Sequence, residues 1–285
     1  MPTTPARGLV ALLRLPYWLM TGGLSLLTAF ALTKASLPIE TAVLTFFSMA
    51  FITSAGFAIN DYYDRESDAV IKPRRPLPSG ALTLRQVIAV SAVLFAVGLA
   101  LAVWINVLSF LILSADSILL LLYSALVKRK SGFAANVLVG FLTGTAFLYG
   151  EAVSPIPFGF VFLSLYPIAF GTIGGNILRD ILSSEGDAKV GYPTLPQTVG
   201  NRSAIYIAAV FFALTAVLAP LPYMLGFFNV YYLVPILIWG VILLYGSARL
   251  VTSAPTIENV KKHERLITMS MMLLILSLVL EAFVP

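Results

Sequence analysis

Apolar runs of about 20 residues recur along the whole chain, each long enough to cross roughly 30 Å of hydrocarbon. Windows of about 19 residues predict nine spans, at 9–33, 39–59, 86–105, 107–127, 133–153, 157–178, 203–222, 230–250 and 266–284. The pattern therefore predicts an all-α, polytopic membrane protein. The opening stretch MPTTPARGLVALLRLPYWLM enters its apolar segment without a small-residue cleavage site, so it reads as a retained first span.

Composition agrees. The 285 residues are 59% hydrophobic and 11% charged, where a soluble domain normally carries about a quarter charged residues. With no cysteine, disulfides and thiolate metal sites are excluded. The net charge of +5 would suggest nucleic acid in a soluble protein, but here it reflects topology. Seventeen of the eighteen Lys and Arg residues fall at the N-terminal end or beside the connections after spans two, four, six and eight; Lys34 alone lies on the other side. Positive connections stay in the cytoplasm, so the chain is expected in the cell membrane, multi-pass, with a cytoplasmic N-terminus and no nucleic-acid partner. Connections 60–85 and 179–202 on that face are long and rich in Asp, Gly and Pro. Long loops in compact proteins are more often functional than structural, which puts the working face in the cytoplasm.

The scarce charge is concentrated in NDYYDRESDAVIKPRRPLPSG, residues 60–80. Four acids (Asp61, Asp64, Glu66, Asp68) and the oxygen of Asn60 are followed by Lys72, Arg74 and Arg75. A second segment on the same face, NILRDILSSEGDAKVGYPTLPQTVG at 176–200, repeats the form: Asn176 and Asp180 stand four apart like Asn60 and Asp64, then Asp187, Lys189 and a Pro-containing turn follow. Residues four apart on a helix share a face, so Asn60, Asp64 and Asp68 form one stripe if the second span continues through them. Asp180 and Asp187, seven apart, share another face. Carboxylates gathered at helix C-termini repel one another and oppose the helix dipole. They need a cation, and an oxygen-only set suits Mg²⁺, which commonly bridges one or two carboxylates to substrate phosphates. The neighbouring cations, with Lys128-Arg129-Lys130 after the fourth span, are the groups that grip phosphate oxygens. For either loop alone, a solvated charged turn is the plain alternative.

These residues resemble the UbiA superfamily of intramembrane prenyltransferases: NDxxDxxxD at 60–68, KPxRPLPSG at 72–80, YSxxxKR at 123–129 and EGDxxxGxxTLP at 185–196, in the family's order along the whole chain. The resemblance implies a single domain over residues 1–285, with nine helices bundled around a central cavity. It implies two Mg²⁺ ions and transfer of a polyprenyl group from its diphosphate to a lipid or aromatic acceptor. By matching position, Asn60, Asp64 and Asp68 look like the first metal cluster, and Asp187 like the last acid of the second. Where the family shows DxxxD this chain has Ser183 and Asp187, so Asp180 stands in for the missing acid. Lys128 and Arg129 resemble a diphosphate-contacting pair and Arg14 an acceptor-side residue, while Tyr123 is the aromatic best placed beside an allylic cation. Lys72, Arg74, Asn176 and Lys189 complete the expected substrate contacts. Within the family the two acidic segments look most like the branch that joins geranylgeranyl diphosphate to geranylgeranylglyceryl phosphate; quinone-precursor and chlorophyll-type prenyltransferases share the first motif.

An ion-coupled transporter is the reading from another class. Transporters place ionisable groups near the bilayer midplane, whereas nearly all acids here lie at one face. Asp116, inside the fourth span, is the exception, balanced between a substrate role and a buried hydrogen bond. His263 is expected in a solvated loop, and Glu151 and Glu281 at the outer interface.

Overall fold

In a computed structural model, which describes residues 4–189, 191 and 193–284, the chain is helical almost throughout. The helices are α1 (Pro5–Leu13), α2 (Pro16–Thr33), α3 (Ile39–Tyr63), α4 (Arg65–Ile71), α5 (Leu84–Ile105), α6 (Val107–Leu122), α7 (Lys128–Lys130), α8 (Gly132–Ala152), α9 (Phe162–Leu165), α10 (Phe170–Lys189), α11 (Leu195–Leu218), α12 (Leu221–Met224), α13 (Val230–Thr252), α14 (Ile257–Ser270) and α15 (Met272–Phe283). Among the described residues, eight helical stretches are long and apolar enough to cross a membrane. They correspond to eight of the nine expected spans. The sixth is composite: α9, a 3₁₀ turn at Tyr166–Ala169 and then α10. Pro167 within that turn has no amide hydrogen to continue an α-ladder. Beyond it α10 exchanges apolar residues for Asn176, Arg179 and Asp180, so hydropathy underrates it.

The long helices form a closed ring, α3–α2–α15–α13–α11–α10–α8–α6 and back to α3, with α5 outside α3 and α2 also touching α8 across the ring. Small residues permit the closest crossings, as packing in a bilayer favours. A Cβ at Gly150 of α8 would lie 2.5 Å from the Ser25 carbonyl oxygen of α2. One at Gly174 in GTIGG would meet Phe212 at 2.9 Å, so that glycine run serves packing.

Three breaks in the helices shape the end of the bundle that carries the acidic segments. Arg14 adopts a left-handed conformation (φ 50°, ψ 52°) between α1 and α2, unusual for a residue with a Cβ. The turn is pinned to α3 by Ser54, whose Oγ donates to the Leu13 carbonyl at 2.7 Å and accepts from Trp18 Nε1 at 2.6 Å. Asp64 interrupts α3 and α4 (φ −86°, ψ 1°), yet its amide bonds Asn60 O at 2.9 Å and its carbonyl accepts from Asp68 N at 2.8 Å. The four-residue rhythm thus survives the joint. The third break is a π-turn at Tyr123–Val127, inside YSALVKR; such turns often mark functional sites.

The lone histidine and two glutamates, Glu151 and Glu281, differ from expectation. His263 is 7% exposed within α14, its Nδ1 2.7 Å from Asn259 O, because the connection before it is short and the amphipathic helix starts early. Glu151 and Glu281 are each 1% exposed. Glu151 accepts from the amides of Gly159, Val161 and Phe162 at 2.7–3.1 Å. Glu281 pairs with Lys34 and accepts from Asn229 N at 2.9 Å. Both are buried clamps of the loops at the end of the bundle away from the acidic segments.

Candidate active site

A cavity of about 450 Å³ opens among α2, α3, α6, α8 and α10. Both acidic segments reach it: Asn60, Asp64 and Asp68 line one side, Asp180 and Asp187 another, with Asn176 beside them. Arg14, Lys72, Tyr123 and Lys128 line it too. Three expected residues do not. Arg129 donates to the Tyr63 carbonyl at 3.0 Å, satisfying the end of α3, and Arg74 and Lys189 are exposed outside the lining.

Each carboxylate has a counter-charge or a donor. Lys128 is ion-paired with Asp64, which also accepts from Asn60 Nδ2 at 2.8 Å. Arg75 pairs with Asp68 and reaches Asp61 Oδ1 at 3.0 Å, and Arg14 holds the same oxygen at 2.6 Å. The Arg14 guanidinium also lies 4.3 Å above the Phe57 ring, a cation–π contact. Asp180 accepts from Asn136 Nδ2 at 2.7 Å, and Asp187 from Ser183 Oγ at 2.6 Å. Arg179 lines the cavity while bonded to Asn176 and Glu264. At the lip, Lys72 is pushed below the usual lysine range by partial burial first and then by the nearby Arg75, with Asp68 opposing.

Oxygen ligands, paired carboxylates and protein cations together fit a divalent ion. Asn60 Oδ1 is buried without a hydrogen-bond partner, which is costly unless something polar reaches it. The Nδ2 of the same amide donates to Asp64, at the head of the first acidic set. Among the described residues no three acidic or imidazole side chains form a ready-made ion cage. The donor set nevertheless suits an ion that keeps waters and phosphate oxygens among its ligands, as Mg²⁺ does. Lys128 and Arg75 sit on the carboxylates such an ion would approach. Asn60, Asp64 and Asp68 could hold one ion, and Asp180 with Asp187 another.

Some residues of the site escaped the sequence reading in their role. Asp61, behind the cavity lining, joins Arg75 to Arg14, 47 positions away along the chain, a distance no local pattern spans. Asn136 had a signal, a lone amide in an apolar run. Asp116 lines the same cavity and accepts from Thr145 Oγ1 at 2.8 Å, so a hydrogen bond and cavity access coexist.

The fold and site define a helical bundle in the membrane whose acid-lined cavity couples an ionic rim to an apolar interior. Residues 19–278 match the model of the UbiA prenyltransferase family. The digeranylgeranylglyceryl phosphate synthase of Natronomonas pharaonis is 36% identical over 228 residues, 80% of this chain and 82% of that protein. A solved digeranylgeranylglyceryl phosphate synthase superposes with a TM-score of 0.83 at 28% identity, covering 98% of each chain. A UbiA homologue of Archaeoglobus fulgidus bound to DMAPP and Mg²⁺ shares the fold, with a TM-score of 0.71 at 22% identity over 93% of this chain and 98% of that one. This chain belongs to the UbiA prenyltransferase family and is an integral membrane protein.

Proposed function

We propose that the chain transfers a geranylgeranyl group from geranylgeranyl diphosphate to geranylgeranylglyceryl phosphate, using two Mg²⁺ ions at a cytoplasmic-facing rim, as one domain over residues 1–285. The observation that carries this reading is the convergence of both acidic segments and Lys128 on one cavity that also has an apolar lining of Met20, Met49, Ile52, Leu120 and Leu142. The synthase relatives support the choice of substrates, the Mg²⁺-bound homologue supports the ion, and the one-sided cations support the orientation.

When bound, the ions supply positive charge to a leaving diphosphate. The chain's own residues do the rest. Lys128 and Lys72 at the lip bind phosphate oxygens, Lys128 exchanging Asp64 for the substrate anion. Arg14 and Arg75 stay oriented by Asp61, their remaining N–H groups available to the acceptor phosphate. As the allylic C1–O bond breaks, its electron pair leaves with the diphosphate. The resulting carbocation faces the rings of Tyr17, Phe57 and Tyr123. Met49, Ile52, Leu120 and Leu142 line the chamber with apolar surface and exclude water that would quench it. The free glyceryl hydroxyl then bonds C1, and its proton goes to the diphosphate released.

An acceptor panel tests this reading: a prenylated glyceryl phosphate, an aromatic carboxylate, a dihydroxynaphthoate and chlorophyllide, each with radiolabelled geranylgeranyl diphosphate. Label should pass to the glyceryl phosphate only, require Mg²⁺ and vanish in Asp64→Ala. Transfer to an aromatic acceptor instead, or turnover in excess chelator, would overturn it.

A further inference from the structure

Arg179 lines the cavity on α10, with Asn176 and Asp180, and no step of the transfer uses it. Its guanidinium is held at two points. Nε donates to Glu264 Oε1 at 3.2 Å and Nη1 to Asn176 Oδ1 at 3.1 Å, while Nη2 makes no hydrogen bond among the described residues. Glu264 belongs to α14, which packs on α10 and lies outside both acidic segments. Thr268, one turn further along α14, donates from Oγ1 to the same Glu264 oxygen at 3.0 Å.

Glu264 is an acid in a basic stretch. Its neighbours Lys261, Lys262 and Arg265 are exposed, as cations that only set topology are expected to be. The Glu264 side chain is instead 17% exposed and reaches α10, where the Arg179 side chain keeps 51%. A half-exposed ion pair adds little to stability. It does fix direction: the guanidinium is a planar fork, so tying two of its nitrogens settles where the third points. The second acidic segment has use for such a cation. Asp64 and Asp68 are paired with Lys128 and Arg75, whereas Asp180 and Asp187 accept from the neutral Asn136 and Ser183 and form no ion pair among the described residues. Arg179 is the lining cation that their own helix supplies.

We propose that Glu264 is a positioning residue, which from α14 holds the Arg179 guanidinium with its free edge toward the donor diphosphate beside Asp180 and Asp187. This rests on the donor binding proposed above and adds to it a helix that neither acidic segment contains.

The test is equilibrium binding of a slowly ionising thiolo-diphosphate analogue of the donor, with Mg²⁺, to the full-length protein in lipid nanodiscs. KM for the acceptor is measured beside it. Arg179→Ala should weaken the analogue about tenfold, as loss of a charge-assisted phosphate contact does. Glu264→Ala should weaken it at least about threefold and leave the acceptor KM within about twofold, a split that general loosening of the fold would not give. Glu264→Gln keeps an acceptor oxygen for Nε and should bind within about twofold of the unaltered protein. In the Arg179→Ala background, Glu264→Ala should change affinity by less than about 1.5-fold, because its target is gone. Equal weakening by Glu264→Ala in both backgrounds, or none in either, overturns the proposal. So does full affinity in Arg179→Ala, even if Glu264→Ala does not fold. An unaltered protein that binds no prenyl diphosphate would instead sink the function reading, and the positioning with it.

Discussion

Asn136 Nδ2 on α8 donates to Asp180 Oδ2 on α10 at 2.7 Å, linking the second acidic segment to a neighbouring helix of the cavity wall. It orients one carboxylate oxygen and leaves the other for a ligand. Groups that orient metal-ligating carboxylates typically change metal affinity or activity by about 10–100-fold when removed. Asn136→Leu should therefore raise the Mg²⁺ concentration for half-maximal transfer about tenfold or more, with activity recovering at high Mg²⁺. A Mg²⁺ titration of initial rates checks this. An unchanged midpoint with lower maximal rate would mean Asn136 serves the substrate.

Lys72 gives the cavity a pH dependence of definite sign. Its folded pKa is below the lysine value of 10.5, because partial burial and the nearby Arg75 disfavour the charged form. The ammonium is present below that lowered pKa and lost as pH rises through it, earlier than for a free lysine. If Lys72 binds the diphosphate, KM for the donor should climb between neutral pH and about pH 10. Lys72→Arg should flatten the climb, since guanidinium keeps its charge throughout. Parallel profiles in both proteins would remove Lys72 from donor binding.

The Asp61 carboxylate is joined to the expected metal set by Arg75, which also pairs with Asp68, so its removal should separate positioning from ion binding. Asp61→Asn leaves Arg14 and Arg75 without their shared anion. Breaking a buried pair costs about 3–5 kcal/mol, but the two arginine side chains keep 19% and 21% of their exposure. Solvent screening reduces the expected loss to about 1–3 kcal/mol. Thermal unfolding in detergent should show a lower Tm, KM for the anionic acceptor should rise, and the Mg²⁺ midpoint should stay put.

The legibility of this molecule in its sequence follows from the range of each signal. Spans that face lipid, such as Leu84–Ile105, announce themselves in any hydropathy window. The span that includes α10 is found only in part: its window closes at 178 although the helix runs on to Lys189, because Asn176, Arg179 and Asp180 give up hydropathy to the cavity. The Asn60, Asp64 and Asp68 stripe was readable since helical spacing is local, and it survived the break at Asp64. Arg129 was misplaced for a related reason. Adjacent to Lys128 in sequence, it sits about 100° around the helix and turns to the Tyr63 carbonyl instead. The Asp61 network and the Ser48–Tyr149 bond, 101 residues apart, depend on which helices become neighbours, and no single-sequence pattern reports that.

The second acidic segment offers the sharpest contrast between neighbouring side chains. Asp180 lines the cavity; Ser183, at the position where the family pattern has an acid, is exposed and donates to Asp187. A hydroxyl bound to Asp187 holds that carboxylate's orientation but brings no negative charge, so the proposed second ion would draw a further charge from Asp180. Asp180→Ala should then lower kcat/KM by more than about 100-fold, comparable to losing a transition-state electrostatic partner. Ser183→Ala should cost less than about tenfold, since Asp187 keeps its charge and loses one hydrogen bond worth about 1 kcal/mol. Ser183→Asp combined with Asp180→Ser moves the acid to the family position and should recover at least a tenth of the original rate. Initial rates of the three variants at saturating Mg²⁺ decide the matter: equal losses for Asp180→Ala and Ser183→Ala would show that the carboxylate at 180 has no special place in the reaction.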